Sequence, residues 1–199
     1  MITSTRAIPA AAVSALSDAA VLAIQAHQGQ VRKGTRIPYV SHLFAVAGLV
    51  MEFGGDEEQA CAALLHDLIE DCGAEYEAVI LERFGPRVAG IVRSCTDADT
   101  QPKPPWRARK EAYLAHLEEV DADAALISAC DKLHNARAIV ADIQAHGAGA
   151  VFSRFKGGRD GTLWYYAGVS EILSRRLEGP LSKALARAVA ELQAVAGEA

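Results

Sequence analysis

The sequence predicts an all-α fold, a helical bundle, on three observations. Hydrophobic residues make up 51% of the 199 residues, while aromatics make up only 6%. Ala, Leu and Val dominate, and clusters of the β-branched and aromatic residues that favour strands are scarce. Apolar positions recur at three- and four-residue spacing between breaks that carry glycine or proline. The length suits one domain with a substantial core, so residues 1–199 are expected to form a single unit without repeats or linkers.

Residues 10–27 carry Val13, Leu16, Ala20, Ala23 and Ile24 on one helical face. Residues 29–39 break the pattern with Gly29, Gly34 and Pro38 and hold Arg32, Lys33 and Arg36, which makes a basic loop. Ser41 is the expected cap of a helix reaching Phe53. Gly54 and Gly55 end it, and Asp56 caps the next. That helix carries Ala60, Ala63, Leu64, Leu65 and Leu68, is apolar nearly all round, and should be central. Residues 75–84 and 87–96 read as two helices split by Gly85 and Pro86. Residues 97–105, with three prolines, form a loop, and residues 107–119 a polar helix exposed on one side. A long helical pattern covers 122–143, and residues 147–161 form a glycine-rich loop with Arg154, Lys156 and Arg159. Amphipathic helices at 162–177 and 181–195, split by Gly179 and Pro180, finish the chain.

Composition narrows the partners. A net charge of −5 gives no overall basic footprint, so nucleic acid is not expected. No stretch approaches the roughly 18 uninterrupted apolar residues of a membrane span, and residues 1–12 lack the basic and long apolar regions of a signal peptide. None of the four cysteines forms a C-x-x-C pair, and Cys61 and Cys130 sit in apolar runs as small buried hydrophobes. A reducing cytoplasm is the expected compartment.

His66, Asp67, Glu70 and Asp71 put one imidazole and three carboxylates within six residues of an otherwise apolar helix. Spacing of four places His66 with Glu70, and Asp67 with Asp71, on neighbouring stripes. Burial penalises such groups strongly unless they are paired or bind a metal. Alone, the segment reads as a helix end with solvated carboxylates and a hydrogen-bonded core histidine. Two other segments change that weighing: His42 lies just inside a helix start, and Asp131 lies on the apolar face of the long helix. His42, His66, Asp67 and Asp131 would bring two imidazoles and two carboxylates together from three helices. That donor set suits Mn, Fe, Co, Ni or Zn rather than Ca. Four protein ligands leave an octahedral ion open positions for water and a phosphate oxygen.

The order His42, His66-Asp67, Asp131 resembles that of the HD superfamily. The fuller pattern resembles the hydrolase domain of the RelA/SpoT family, especially its stand-alone small alarmone hydrolases. The matching stretches are residues 27–33, Pro38-Tyr39 with His42, His66-Asp67-x-x-Glu70-Asp71, Phe84-Gly85 with Val88, and Asp131-Lys132-Leu133-His134-Asn135-x-Arg137; the resemblance as a whole covers roughly residues 20–145. The resemblance implies an HD-domain helical bundle in which His42, His66, Asp67 and Asp131 hold Mn²⁺. It implies that Glu70 and Asp71 orient and deprotonate the attacking water. Arg32 and Lys33 would hold a small nucleotide substrate, Asn135 would contact its nucleoside, and Tyr39 would line the same pocket. The implied reaction removes the 3′-pyrophosphate of (p)ppGpp or (p)ppApp. Alternatives are another HD phosphohydrolase acting on a nucleoside monophosphate or NADPH, and a non-catalytic nucleotide sensor. Leu43, Cys72 and Cys130 depart from the family's usual residues, and none is among the ligands.

Two segments stay open. Residues 153–159 are either a solvated connector or a loop that brings Arg154, Lys156 or Arg159 over substrate phosphates. Trp106 with Arg107 and Arg109 reads as surface packing rather than a base-stacking site. His27, His116, His134 and His146 read as structural or solvated.

Overall fold

The computed structural model describes residues 10–97 and 104–197, with side chains from residue 15 onward. Most of the expected loop 97–105, the side chain of Val13 and the segment 1–9 lie outside the described residues. Among those described, ten helices and no strand are present: α1 (Ala10–Ala26), α2 (Val40–Glu52), α3 (Glu57–Leu65), α4 (Leu68–Asp71), α5 (Tyr76–Cys95), α6 (Trp106–Leu117), α7 (Ala122–His146), α8 (Ala148–Phe152), α9 (Gly158–Arg176) and α10 (Pro180–Gly197).

Two helices organise the bundle. Beyond its polar first turn α3 is apolar on every side, every residue from Ala60 to Leu65 is buried, and it packs against α1, α2 and α5. A capping box starts it: Asp56 accepts from the Gln59 N–H at 2.9 Å, and the Gln59 side chain accepts from the Asp56 N–H at 2.7 Å. α7 runs for 25 residues and packs against α2, α5, α8, α9 and α10. Ile127, Leu133, Ala136 and Ile143 bury different parts of its circumference. One connected apolar core extends from Ala19 to Ala196.

Several boundaries differ from the sequence reading. Tyr39, not Ser41, stands at the start of α2; Ser41 is already inside the first turn, its N–H donating to the Pro38 carbonyl at 3.1 Å. On α1 the buried stripe is Ala19, Leu22 and Ala23, while Ile24 faces outward. The segment 66–71 is not one continuous helix. α3 ends at His66, and α4 begins again at Leu68. The His66 ring bonds the Ala63 carbonyl at 2.8 Å, which a continuous helix would offer to the Asp67 N–H. Residues 147–161 are not all loop: Val151 and Phe152 enter the core as α8, and α9 starts four residues before the expected Thr162.

Two glycine positions fit their backbone. Gly85 has φ of 85° and, with Pro86, kinks α5 where two helices were expected. Gly147, at φ of 81°, turns the chain out of α7. The basic loop is a short hairpin-like turn in which Val31 pairs with Pro38. Its Arg32 N–H donates to the Ile37 carbonyl at 2.8 Å, and its Tyr39 N–H to the Gln30 carbonyl at 2.9 Å. This fixes Arg32 and Tyr39 beside α7.

We propose that α10, which packs on α7 and α9, belongs to the same cooperative unit as the rest. Leu185 is fully buried in that contact. Leu185→Ala should destabilise the whole protein by about 2–5 kcal/mol and shift a single transition in chemical denaturation followed by circular dichroism. A separate transition for the C-terminal helices would contradict this.

Candidate functional site

Three elements bring four ionisable side chains to one point. His42 comes from the first turn of α2, His66 and Asp67 from the break between α3 and α4, and Asp131 from the middle of α7. His42 Nε2 lies 3.2 Å from Asp131 Oδ1 and 3.6 Å from Asp67 Oδ2. His66 Nε2 lies 3.1 Å from Asp67 Oδ2 and 3.8 Å from Asp131 Oδ1. Metal–ligand bonds of about 2.0–2.2 Å place adjacent ligand atoms roughly 3 Å apart, and these spacings are compatible with groups that share one cation. The ligand atoms of His42, His66 and Asp67 all lie within 4.8 Å of one another.

Each of the two imidazoles has a partner at its other ring nitrogen. His42 Nδ1 is 2.8 Å from His134 Nδ1, and His66 Nδ1 is 2.8 Å from the Ala63 carbonyl. With Nδ1–H donating in both cases, each Nε2 keeps its lone pair and points at the carboxylates. His134 is suited to accept: burial first, then the neighbouring His42 and Arg32, lower it to about 4, which keeps it neutral. His66 Nε2 is buried, and its 3.1 Å approach to Asp67 lacks hydrogen-bond geometry, so it has no hydrogen-bond partner among the described residues. An orphaned buried nitrogen facing two carboxylates fits a cation.

The electrostatics agree. Burial alone would lower His66, yet Asp67, Asp131 and the Ala63 carbonyl outweigh it and push it up to about 9. The pocket thus demands positive charge at the point where a proton or a metal ion would sit. Burial opposes ionisation of Asp67 and Asp131, but His66 and His42 hold the first, and Lys132 with both histidines the second, below the usual carboxylate range. The Tyr39 hydroxyl donates to Asp67 at 2.5 Å, and Lys132 Nζ donates to Asp131. Asn135 Nδ2 donates to Asp131 at 2.5 Å, and its carbonyl oxygen accepts from Arg32 at 2.8 Å. Arg32, Asn135 and Tyr39, expected around a nucleotide, are therefore tied directly to the centre.

Glu70 and Asp71 diverge. Glu70 lines the same cavity of about 40 Å³ as His66, Asp67 and Asp131. It accepts from the Asp97 N–H at 3.3 Å and lies 3.4 Å from an Arg109 guanidinium nitrogen. Asp71 is exposed, and its charge acts on Tyr39. Arg109 is not surface packing: it and Lys110 both bind the buried Asp97, which fastens α6 to the end of α5 and to Glu70. Trp106 and Arg107 do pack as read. Trp106 covers Gly157, where a Cβ would meet its ring at 2.5 Å, and Arg107 stacks 3.4 Å from the Trp164 centroid.

A cleft of about 280 Å³ beside Asn135 is lined by Arg32, Lys33, Tyr39, Asp142, Phe155 and Tyr166, among others. Lys33 Nζ sits 5.1 Å from the Phe155 centroid, and burial, then the charge of Lys156, lowers its pKa. Arg154 does not stand free: its side chain lies against Gly34 and reaches Asp142 at 3.4 Å, joining the C-terminal loop to the basic hairpin. Lys156 and Arg159 are exposed. Sequence reasoning missed Lys132, His134, Arg109, Lys110 and Tyr165. Lys132 carried a signal, as a cation inside the buried face of the long helix; the others are joined only by tertiary folding.

Comparison with known proteins bears out the family resemblance. The profile of the HD domain matches residues 19–163. A Xenopus tropicalis protein named guanosine-3′,5′-bis(diphosphate) 3′-pyrophosphohydrolase MESH1 is 37% identical over 123 residues, 60% of this chain and 66% of that protein. The Escherichia coli bifunctional (p)ppGpp synthase/hydrolase SpoT is 34% identical over 66% of this chain, which spans only 19% of its length. The structure of a metazoan SpoT ortholog described as hydrolysing ppGpp superposes with a TM-score of 0.75 at 26% identity, over 92% of this chain and 96% of that one. The crystal structure of lmo0812 from Listeria monocytogenes gives a TM-score of 0.67 at 28% identity, over 79% of this chain and 99% of that one.

Two variants test the centre. Asp131→Ala should keep the helical circular dichroism signal and lose bound divalent metal, measured by elemental analysis. His134→Ala should weaken metal affinity by about 10- to 100-fold through loss of the His42 Nδ1 acceptor. Stoichiometric, tight metal in both would contradict the assignment.

Proposed function

The chain belongs to the HD domain family, and on that premise we propose that it is a metal-dependent hydrolase that removes the 3′-pyrophosphate of guanosine-3′,5′-bis(diphosphate) or its adenine counterpart. The observation that carries this reading is the convergence of His42, His66, Asp67, Asp131 and Glu70 beside a cleft walled by Arg32, Lys33 and aromatic rings. The relatives named for this reaction support the choice of substrate. Four free cysteines are consistent with work in a reducing cytoplasm.

His42, His66, Asp67 and Asp131 would hold the metal; their mixed imidazole and carboxylate character suits a divalent transition ion, and the family resemblance implies Mn²⁺. A bound divalent cation supplies charge neutralisation at a phosphate oxygen and makes water a better nucleophile. The remaining chemistry falls to the protein. Glu70, oriented by Arg109 and the Asp97 backbone, accepts the proton of the attacking water, with Asp71 as its neighbour on the solvent side. Water adds to the phosphorus next to the ribose, and the bond from that phosphorus to the 3′ oxygen breaks. The 3′ oxygen takes up a proton, and the products are a nucleoside 5′-diphosphate and pyrophosphate. Arg32 and Lys33 meet the anionic nucleotide, Asn135 spans nucleoside and metal centre, and Tyr39 and Phe155 line the cleft. Arg154 stiffens the wall through Gly34, and exposed Lys156 adds positive potential near Lys33. Positioning and electrostatics of this kind are the main sources of phosphoryl-transfer catalysis.

Purified protein with Mn²⁺ should convert ppGpp, pppGpp and ppApp with release of pyrophosphate, read by ion-exchange chromatography. Orthophosphate as the product, or turnover of NADPH alone, would instead support a different HD phosphohydrolase. Glu70→Gln should lower kcat by about 10²- to 10⁴-fold with metal content intact. Near-normal kcat in that variant would remove Glu70 from the role of base.

A further inference from the structure

A second lobe opens on the far side of Asn135, Phe155 and Tyr166 from the basic cleft. It has a volume of about 180 Å³ and is lined by Trp106, Lys110, Lys132, Thr162 and Tyr165 together with those three residues. The small cavity that holds His66, Asp67 and Asp131 shares Lys110, Lys132 and Tyr165 with this lobe, so the two spaces adjoin across those side chains. Nothing in the chemistry described so far occupies it.

Its walls are built for an anion. The Lys110 and Lys132 ammonium groups come from facing helices, α6 and α7, and both are largely buried. Lys110 Nζ lies 4.7 Å from the Tyr165 centroid and 5.9 Å from that of Tyr113; Lys132 Nζ lies 5.4 Å from Tyr113. Burial lowers the Lys110 pKa, and the charge of Lys132 lowers it further, as two crowded cations require. Asp97 and Asp131 each bond one of these ammonium groups. An ammonium has three N–H donors, so one carboxylate does not exhaust it. The Tyr165 hydroxyl is buried, lines both spaces, and has no hydrogen-bond partner among the described residues. A buried hydroxyl without a partner is costly unless a ligand satisfies it.

We propose that this lobe receives the distal phosphate of the 3′-diphosphate, bound by Lys110, Lys132 and the Tyr165 hydroxyl, and so selects a diphosphate over a monophosphate ester at that position. The inference rests on the functional reading above and adds the residues that measure phosphate length. The proximal phosphate then lies at the metal centre, with the nucleoside across Asn135 in the basic, aromatic cleft.

The test compares wild type, Lys110→Gln and Tyr165→Phe. Guanosine-3′,5′-bis(diphosphate) is the substrate, and guanosine 5′-diphosphate 3′-monophosphate is the competitor. Removing one charge-assisted contact should raise KM for the substrate by about 10- to 100-fold in Lys110→Gln. Tyr165→Phe, which loses one oxygen and keeps its ring, should raise KM several-fold. The inhibition constant of the monophosphate, which has no distal phosphate, should stay within about threefold in both. Equal losses for the two nucleotides would mean general damage to the site, and no loss for either would mean an unused lobe; both overturn the proposal. If wild type releases no pyrophosphate, the functional reading fails separately. Calorimetric titration with inorganic pyrophosphate then decides the lobe: binding lost in both variants supports it, and binding equal to wild type overturns it.

Discussion

The constraint on which the rest of the molecule depends is the burial of two imidazoles and two carboxylates at the meeting of α2, the α3–α4 break and α7. Removing such groups from water is strongly unfavourable unless each is compensated. Here every one of the four has its own support. His134 holds His42, the Ala63 carbonyl holds His66, the Tyr39 hydroxyl holds Asp67, and Lys132 with Asn135 holds Asp131. The local breaks in regular structure serve the same arrangement. Ending α3 at His66 frees the ring to bond Ala63, and the basic hairpin delivers Tyr39 to Asp67. The apolar shell around α3 and α7 then lowers the local dielectric, which strengthens the field felt by a bound cation.

Charges of both kinds surround this centre, and Lys110 and Lys132 line the small cavity together with Glu70 as well as the inner lobe. Glu70, backed by Arg109 and Asp97, faces the small cavity where, on the proposed function, a water would be deprotonated. Arg32, Lys33 and the aromatic wall face the open cleft, and Lys110 and Lys132 face the inner lobe. Hydrolysis of a phosphoric anhydride uses both, a carboxylate to take up a proton and positive charge to meet the phosphates. α6 couples these groups, because consecutive residues Arg109 and Lys110 share Asp97, and Arg109 also reaches Glu70.

The bundle was legible because its signals are local. Helical periodicity, the Asp56 cap and the glycine–proline breaks lie within a few residues of what they specify. The meeting of the four proposed ligands was legible only once His42 and Asp131 were set beside the His66-Asp67 pair, which alone reads as an ordinary helix end. Boundaries failed where tertiary contacts overrode propensity: Ser41 lost the cap to Tyr39, and Val151 with Phe152 pulled a helical turn out of a glycine-rich loop. The supporting groups were mostly invisible. Arg109 and Lys110 look like ordinary charges on a polar helix, and only the fold carries them to Asp97. Tyr165 looks like core, and only the cavity beside it makes its unpartnered hydroxyl meaningful.

The central claim is that His42, His66, Asp67 and Asp131 together bind one divalent ion. Its most direct test is anomalous diffraction at the manganese edge from crystals grown with Mn²⁺. The account predicts one strong peak at bonding distance, about 2.0–2.3 Å, from both Nε2 atoms and from one oxygen of each carboxylate. A peak elsewhere, or none within this cluster under saturating Mn²⁺, would contradict it.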